Sequence, residues 1–362
     1  MKQILFWYQN ARPVSLPQSM MPALVAAFMA AKYPDFRWYL ALLSLIGIGF
    51  AHLCFNLFDD YSDYRNAEQG DRSALTRMGF RAMTVKCPAL QDGTVSPRKW
   101  FLVSCLFGAL ACLFGLPVVL IRGPVVLWVV LGVAILGIFY SAPPLKLGYH
   151  GLGELIIGAI FGPGIFIGMS LAAAGELCGS EILMSFAMGF LVVAILYVHS
   201  VMDYAADTKA QKRTLAWLVG CHGTIPPADT RNTGKRAVKG TPSAAEIEAG
   251  MKRQYLMLAA ILFLPYLFVL IAVVTGNLPW YYLFVFLTFL WSVDLYRSMQ
   301  SFRKDPQAVP EKKWWYGSFQ HWKEIRQAGI DWFMLRWLLA QRINIIFSIL
   351  CILAAVIEGI SR

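Results

Sequence analysis

The segment NLFDDYSDY, residues 56–64, stands at the end of an apolar stretch that is long enough to cross a lipid bilayer. Four residues with amide or carboxylate side chains fall within it: Asn56, Asp59, Asp60 and Asp63. Acidic side chains at the edge of a membrane are costly, so they mark a candidate functional site. The rest of the sequence indicates what they are for.

The composition is that of a helical membrane protein. The chain has 362 residues, of which 58% are hydrophobic, and its mean hydropathy is +0.55. Apolar runs of near twenty residues recur throughout, as expected of membrane-spanning helices. The seven cysteines are scattered singly, which argues against disulfides and zinc–thiolate sites.

These runs predict nine membrane-spanning helices, joined by alternating short and long connections. Their expected positions are 14–32, 37–58, 99–121, 124–141, 153–174, 182–202, 254–275, 279–299 and 342–360. The helix near 37–58 leads directly into the acidic segment. The sequence therefore predicts an all-α, polytopic membrane protein.

The distribution of basic residues predicts the orientation of the chain. The side with the short connections carries only four of the 32 Lys and Arg residues, namely Lys32, Arg37, Arg122 and Arg362. By the positive-inside rule, the N-terminus and the long connections are cytoplasmic, and an odd number of spans places the C-terminus outside. We expect an inner or plasma membrane protein. Because the net charge of +11 lies almost wholly on one side of the membrane, it does not indicate nucleic-acid binding.

A second acidic cluster, DYAAD at 203–207, follows the sixth predicted span, on the same side as the first cluster. Asn56 and Asp60 are four residues apart, as are Asp203 and Asp207, so each pair shares a helix face. Four spans separate the clusters. This placement predicts two four-helix halves around a central cleft, plus a C-terminal helix.

Clustered carboxylates repel each other unless cations neutralise them. Oxygen ligands suit Mg²⁺, which often completes its coordination shell with substrate phosphates. The expected metal ligands are Asn56, Asp59, Asp60, Asp63, Asp203 and Asp207. Basic residues that could bind phosphate oxygens follow each cluster or lie between the halves: Arg65, Arg72, Lys86, Lys146, Lys209, Lys212 and Arg213. Together these residues predict a diphosphate site.

Three other segments carry expectations. Residues 222–252 form a polar, basic insert, and residues 314–341 alternate aromatic and charged residues, as expected of a helix in the headgroup layer. Asp294 lies in the eighth span, where we expect an ion pair with Arg297 one turn away. We predict a core domain over 1–300, followed at 301–362 by the cytoplasmic interfacial segment and the last span.

The two acidic motifs resemble those of the UbiA-type membrane prenyltransferases. Asn56, Asp60 and Asp63 match the family's first motif, and Asp59 stands where many members have a second Asn. Asp203, Asp207 and KRTLA at 212–216 match the second motif, in which His199 and Ser200 replace Asn. The Arg12–Pro13 entry to the first helix and the stretch at 140–164 also fit. The resemblance covers about residues 10–300 and is greatest to 1,4-dihydroxy-2-naphthoate polyprenyltransferases.

This resemblance implies Mg²⁺-dependent transfer of a prenyl chain from polyprenyl diphosphate to a small aromatic acceptor, inside the lipid bilayer. With 1,4-dihydroxy-2-naphthoate the product would be demethylmenaquinone, an intermediate of menaquinone biosynthesis. The resemblance implies catalytic roles for Asn56, Asp60, Asp63, Asp203 and Asp207. The residues expected to face the allylic cation or the acceptor are Tyr140, Tyr149, Tyr197 and His199.

Other functions remain open at this point. Within the same class, the acceptor could be 4-hydroxybenzoate, homogentisate, a haem precursor or a glycerol-phosphate lipid. An ion-coupled transporter is a different class, but its charged sites usually lie near the bilayer midplane, whereas these acids lie at the rim. An idle membrane scaffold would have no use for paired acidic clusters.

Overall fold

The computed structural model describes residues 2–65, 88–209, 213–220, 244–305, 308–327 and 329–361. Among them, helices dominate and there is no strand, as the sequence predicted. The longer helices are α1 (Lys2–Asn10), α2 (Pro17–Ala30), α3 (Trp38–Arg65), α4 (Pro97–Arg122), α5 (Pro124–Ser141), α6 (Gly153–Ala174), α7 (Gly179–Met202), α8 (Ala244–Val274), α9 (Phe289–Lys304) and α10 (Asp331–Ile360). Shorter turns are Pro13–Ser15, Pro88–Gln91, Leu147–Tyr149, Tyr204–Lys209, Leu215–Val219, Trp280–Thr288, Trp314–Tyr316 and Trp322–Gln327.

Proline and glycine set several of the helix boundaries. Pro17, Pro97 and Pro124 are the first residues of α2, α4 and α5, where the missing N–H has no intrahelical partner to lose. Gly123, at φ 86°, separates α4 from α5. Gly175, at φ 76°, ends α6 in the left-handed conformation that glycine adopts without strain.

Eight helices of the described chain are long and apolar enough to cross a membrane, in keeping with a multi-pass membrane protein. The predicted span 279–299 is built differently, because Trp280–Thr288 is a 3-10 helix that continues into α9. The predicted last span, 342–360, begins earlier, at Asp331.

The helices form a bundle with α7 in its interior. Of the most apolar window of α7, 67% is buried inside the protein, against 11% for α4 and for α5. Helix α7 packs against α6, α8 and α10, and α10 also packs against α2. The C-terminal helix is therefore an integral part of the bundle, and the predicted domain boundary at residue 300 stays a prediction.

Small residues allow α6 and α7 to approach closely. Helix α6 contains a π-helical turn, Ile160–Gly164. A Cβ added to Gly162 would lie 2.5 Å from the Cα of Gly189 and 2.6 Å from the backbone oxygen of Ser185. Since both neighbours are backbone atoms, only glycine fits at residue 162.

Basic residues on the side of the short connections are paired with acids. Arg122 forms an ion pair with Asp35 and donates hydrogen bonds to the carbonyls of Ala172 and Ala173 at 3.0 and 2.6 Å. Its hydrogen bond to Asp35 lowers the pKa of that carboxyl. Lys32 Nζ lies 3.5 Å from Glu181. These side chains tie the ends of the helices together.

The segment that follows α9 differs from its prediction. Asp294 forms an ion pair with Lys313, at 2.6 Å, rather than with Arg297, and accepts a hydrogen bond from Tyr316 at 3.2 Å. Of the predicted headgroup-layer segment 314–341, the part from Asp331 onward belongs to α10. Trp314 is 85% exposed and remains a candidate for the membrane interface.

Because α6 and α7 approach closely at Gly162, a larger side chain there should lower the stability of the protein. Gly162→Ala should destabilise the protein by about 1–3 kcal/mol, because its Cβ would overlap backbone atoms of α7. The midpoint of thermal unfolding in detergent measures this change. Gly132→Ala is the matched control, since its added Cβ meets nothing within 4 Å. Equal midpoints for the two variants would contradict the packing.

Candidate functional site

The first acidic motif lies on the last turns of α3. This helix continues to Arg65 rather than ending near residue 58 as predicted, so the whole motif is helical. Asp60 and Asp63, three residues apart, are both buried. The predicted phosphate-binding residue Arg65 ends this helix.

Arg12 lies against this motif. Its Nη2 is 3.2 Å from Asp59 Oδ2 and 3.4 Å from Asp60 Oδ1, and it also donates to the Asn56 carbonyl at 3.1 Å. Although burial by itself lowers the pKa of Arg12, Asp60 and Asp59 raise it above its ordinary value. The guanidinium therefore supplies a permanent positive charge to the motif.

Two further donors reach the first motif from the end of α5 and the turn after it. The hydroxyl of Ser141 donates to Asp59 Oδ1, and that of Tyr149 donates to Asp63 Oδ1. Tyr149, expected to face the cation or the acceptor, thus hydrogen-bonds a carboxylate. Such partners fix the orientation of a ligand carboxylate.

Two basic residues, Arg12 at the first motif and Lys146 in the turn after α5, have unusual backbone conformations. Arg12 has φ 57° and Lys146 has φ 41°, in the left-handed region that side chains other than glycine rarely adopt. Strain of this kind clusters at functional sites. The conformations therefore support a functional role for both residues.

The second acidic motif begins where α7 ends. Asp203 follows the last residue of α7, and Asp207 lies in the short helix Tyr204–Lys209. Both side chains are buried. His199 Nδ1 lies 3.2 Å from Asp203 Oδ2, so the residue that replaces the family's Asn contacts the motif directly.

The segment after the second motif is tied to the turn before α6. Glu154 accepts hydrogen bonds from the backbone N–H of Leu215 at 3.0 and 3.2 Å, and Gly151 donates to the Arg213 carbonyl at 3.1 Å. The guanidinium of Arg213 lies 5.2 Å from the centre of the Trp217 ring. These hydrogen bonds hold the segment after the second motif against the α5–α6 connection.

Both motifs border one large cavity of about 1550 Å³. Asn56, Asp59 and Asp60 line it from the first motif, and Asp207 lines it from the second. Most of the remaining lining is apolar and belongs to α3, α4, α5 and α6. The cavity is therefore charged at one end and apolar along its length.

The other predicted site residues differ in where they lie relative to the cavity. Tyr140 and His199 line the cavity, and an added Cβ at Gly148 would lie 2.9 Å from the Tyr140 ring, so this glycine lets the ring pack on the turn. Tyr197 is buried between helices, and its hydroxyl donates to the Gln254 carbonyl at 3.1 Å. Arg72, Lys86 and Lys212 lie outside the described residues, as does most of the insert 222–252, and Lys209 is described only as a helix end.

The donor set suits a hard divalent cation. Among the described residues, no three His, Cys, Asp or Glu side chains already converge on one point as metal ligands. The oxygens of Asn56, Asp60 and Asp207 nevertheless border one cavity, and Asp63 and Asp203 are buried in the same two motifs. Carboxylate and amide oxygens are ligands that Mg²⁺ accepts while keeping waters. The residues therefore fit a Mg²⁺ site that a bound phosphate group completes.

The sequence does not single out several residues of the site. Ser141, Glu154 and His52 line or support the cavity. Ser141 and Glu154 fall within the stretch 140–164 that resembles the family, but nothing in that stretch indicates their contacts, and His52 stands alone in an apolar segment. The Arg12–Pro13 pair was visible as an entry to the first helix, without any indication of its contact with Asp59. Only the tertiary fold brings these residues to the motifs.

Known proteins share both the sequence features and the fold of this chain. The family model "UbiA prenyltransferase family" matches residues 19–226. A 1,4-dihydroxy-2-naphthoate octaprenyltransferase of Bacillus subtilis is 27% identical over 62% of this chain and 68% of its own length. The enzyme of the same name from Mycobacterium tuberculosis is 28% identical over 59% of this chain and 70% of its own length.

A solved structure supports the same assignment at the level of the fold. The UbiA homolog from Archaeoglobus fulgidus bound to GPP and Mg²⁺ superposes with a TM-score of 0.58, at 18% identity, over 98% of this chain and 99% of that chain. The family model covers more than half of the sequence, and it includes both acidic motifs. This chain, an all-helical membrane protein, belongs to the UbiA prenyltransferase family.

Proposed function

We propose that this prenyltransferase transfers a polyprenyl chain from polyprenyl diphosphate to 1,4-dihydroxy-2-naphthoate. The observation that carries the proposal is a cavity shared by both acidic motifs, which lie at one end of it, with apolar walls along its length. A prenyl diphosphate has the same division into a charged head and an apolar tail. The acceptor is inferred from the two bacterial relatives, whose names specify dihydroxynaphthoate.

The head of the donor would lie between the motifs. Asn56, Asp60 and Asp63 would hold Mg²⁺ on one side, and Asp203 and Asp207 on the other. The A. fulgidus homolog, which was solved with GPP and Mg²⁺ bound, supports a metal and a prenyl diphosphate in this fold. When bound, Mg²⁺ draws charge off the leaving diphosphate. Asp59, also predicted as a ligand, would instead hold Arg12 in place through their ion pair.

Basic residues would neutralise the rest of the diphosphate charge. Arg12 forms an ion pair with the first motif, Lys146 lies in the connection after α5, and Arg213 follows the second motif. Arg65, Arg72, Lys86, Lys209 and Lys212 stay predictions from the sequence. Positive groups placed where negative charge develops lower the barrier to C–O cleavage.

The walls of the cavity would protect the reaction. Cleavage of the donor's C–O bond leaves an allylic cation, and the apolar lining keeps out water that would quench it. Tyr140 lines the cavity and can offer π-density to the cation. The naphthoate ring attacks through the carbon that bears its carboxylate, a C–C bond forms, and carbon dioxide leaves. The products are diphosphate and demethylmenaquinol, whose oxidised form is demethylmenaquinone.

A prenyl-transfer assay tests the proposal. In nanodiscs with geranylgeranyl diphosphate, the protein should prenylate 1,4-dihydroxy-2-naphthoate only with Mg²⁺ present, and EDTA should abolish the reaction. Asp60→Asn and Asp203→Asn should each lower kcat/KM by about a hundredfold, because each loses about 3 kcal/mol of transition-state charge stabilisation.

Parallel reactions with 4-hydroxybenzoate, homogentisate and a glycerol-phosphate lipid test the acceptor. Transfer to one of these and not to the naphthoate would overturn the acceptor and keep the prenyltransferase chemistry. Full activity of both asparagine variants would overturn the assignment of the two motifs.

The cavity also predicts a limit on the donor's tail. Gly115 lines the cavity about 27 Å along α4 from its first residue, and an added Cβ there meets nothing within 4 Å. Gly115→Phe should lower kcat/KM for octaprenyl diphosphate about tenfold or more, since the ring fills space that the distal tail needs, and leave geranyl diphosphate unaffected. Gly132→Phe is the control, because Gly132 is exposed on α5 with open space around it. Equal losses with both donors would contradict this assignment of the tail.

We further propose that the N-terminus and both acidic motifs face the cytoplasm and that the C-terminus lies outside. The positive-inside count supports this orientation, as do the ion pairs that occupy Lys32, Arg37 and Arg122 on the opposite side. Alkaline phosphatase fused after Arg362 should be active in intact cells, and the same reporter fused after residue 305 should be inactive. The reverse pattern would invert the topology.

A further inference from the structure

A row of hydrogen-bonded polar side chains runs along the cavity wall toward the first motif. His52 lies on α3 one turn before Asn56. Its Nδ1 is 2.6 Å from Ser19 Oγ and its Nε2 is 3.0 Å from Ser15 Oγ. Ser15 Oγ in turn accepts a hydrogen bond from Asn56 Nδ2 at 3.0 Å. The row thus connects α2 to Asn56, an expected metal ligand.

The Ser15 hydroxyl accepts from Asn56 whichever ring nitrogen of His52 carries the hydrogen. If Nε2 carries it, His52 donates to Ser15, Ser15 donates to the Arg12 carbonyl at 2.8 Å, and Ser19 donates to Nδ1. If Nδ1 carries it, Ser15 donates to Nε2, Nδ1 donates to Ser19, and Ser19 donates to the Leu16 carbonyl at 3.1 Å. In both tautomers a lone pair of Ser15 remains for the Asn56 amide.

Two acceptors fix the orientation of the Asn56 amide. One of its N–H groups donates to Ser15, and the other donates to the Ala11 carbonyl at 2.9 Å. A carbonyl can only accept, so the amide atom that faces Ala11 must be Nδ2. Both amide protons are then committed. Oδ1, which points away from Nδ2 in the planar amide, is the atom left to bind a cation.

The position of His52 is itself firmly set. The ring is 5% exposed and stacks on Phe161, with centroids 4.9 Å apart and planes at 27°. Phe161 belongs to the π-helical turn of α6, an irregularity often found at functional sites. The ring therefore has one place and two serine partners, one on each nitrogen, which suits a residue that orients another.

We propose that Ser19, His52 and Ser15 form a relay that holds Asn56 with its Oδ1 presented to the divalent cation. His52 is then a positioning residue that acts through Ser15, in the way that outer partners orient metal-ligating side chains. The inference rests on the proposed function, since it requires a metal at the first motif. This role explains why polar side chains form a row inside an otherwise apolar span.

Paired substitutions at His52 test the relay. The amide nitrogen of Gln reaches the place of Nε2 and can still donate to Ser15, whereas the shorter Asn reaches only the place of Nδ1. Mn²⁺ binding is measured by electron paramagnetic resonance in nanodiscs with geranyl diphosphate present. His52→Asn and Ser15→Ala should bind Mn²⁺ about tenfold more weakly or worse, while His52→Gln should stay near wild type.

If His52 had only a structural role, His52→Gln and His52→Asn would change the Mn²⁺ affinity equally. Equal Mn²⁺ affinities for the two variants would therefore overturn the relay. Ser185→Ala is the control, because Ser185 is a buried serine bonded to the Ile182 carbonyl at 2.7 Å in its own helix. Its Mn²⁺ affinity should match wild type. Wild-type protein that binds Mn²⁺ and transfers prenyl groups, with all variants unchanged, refutes the relay alone. Wild-type protein that does neither refutes the proposed function as well.

Discussion

The rest of the structure depends on one electrostatic constraint: buried carboxylates lie at one end of a cavity whose other walls are apolar. Asp60, Asp63, Asp203 and Asp207 are buried, and like charges in a low-dielectric setting repel strongly. The Arg12 guanidinium lies within ion-pair distance of the first motif. The hydroxyls of Ser141 and Tyr149 donate hydrogen bonds to carboxylates of the same motif and also stabilise their negative charge. A site with this excess of negative charge favours divalent cations, and divalent cations favour a diphosphate.

The fold and the two motifs could be predicted from the sequence, because each depends on local patterns. Apolar runs reveal helices in a membrane, and the spacing of four between Asp203 and Asp207 places both acids on one face. The boundary of α10 could not be predicted in this way. Arg336 lowers the hydropathy of that segment, but it is 1% exposed and donates to Ser298 at 3.1 Å, so protein rather than water solvates its charge.

Contacts between distant segments were beyond the reach of sequence patterns. Asp294 has Arg297 one turn away, yet its ion pair is with Lys313, which the chain brings back across the surface. His52 and Ser15 are 37 residues apart and hydrogen-bonded, although each alone reads as an isolated polar residue. Helical spacing shows which residues can meet on one helix, but it does not predict their contacts with residues on other helices.

In the proposed mechanism, both motifs hold one diphosphate through divalent cations. Anomalous diffraction from crystals grown with Mn²⁺ and geranyl thiolodiphosphate, an uncleavable donor analogue, would locate the metal and the donor together. We expect manganese peaks at Asp60 and Asp63 and at Asp203 and Asp207, with the diphosphate between them and the geranyl tail in the cavity. A diphosphate bound away from either motif, or manganese at neither, would contradict this mechanism.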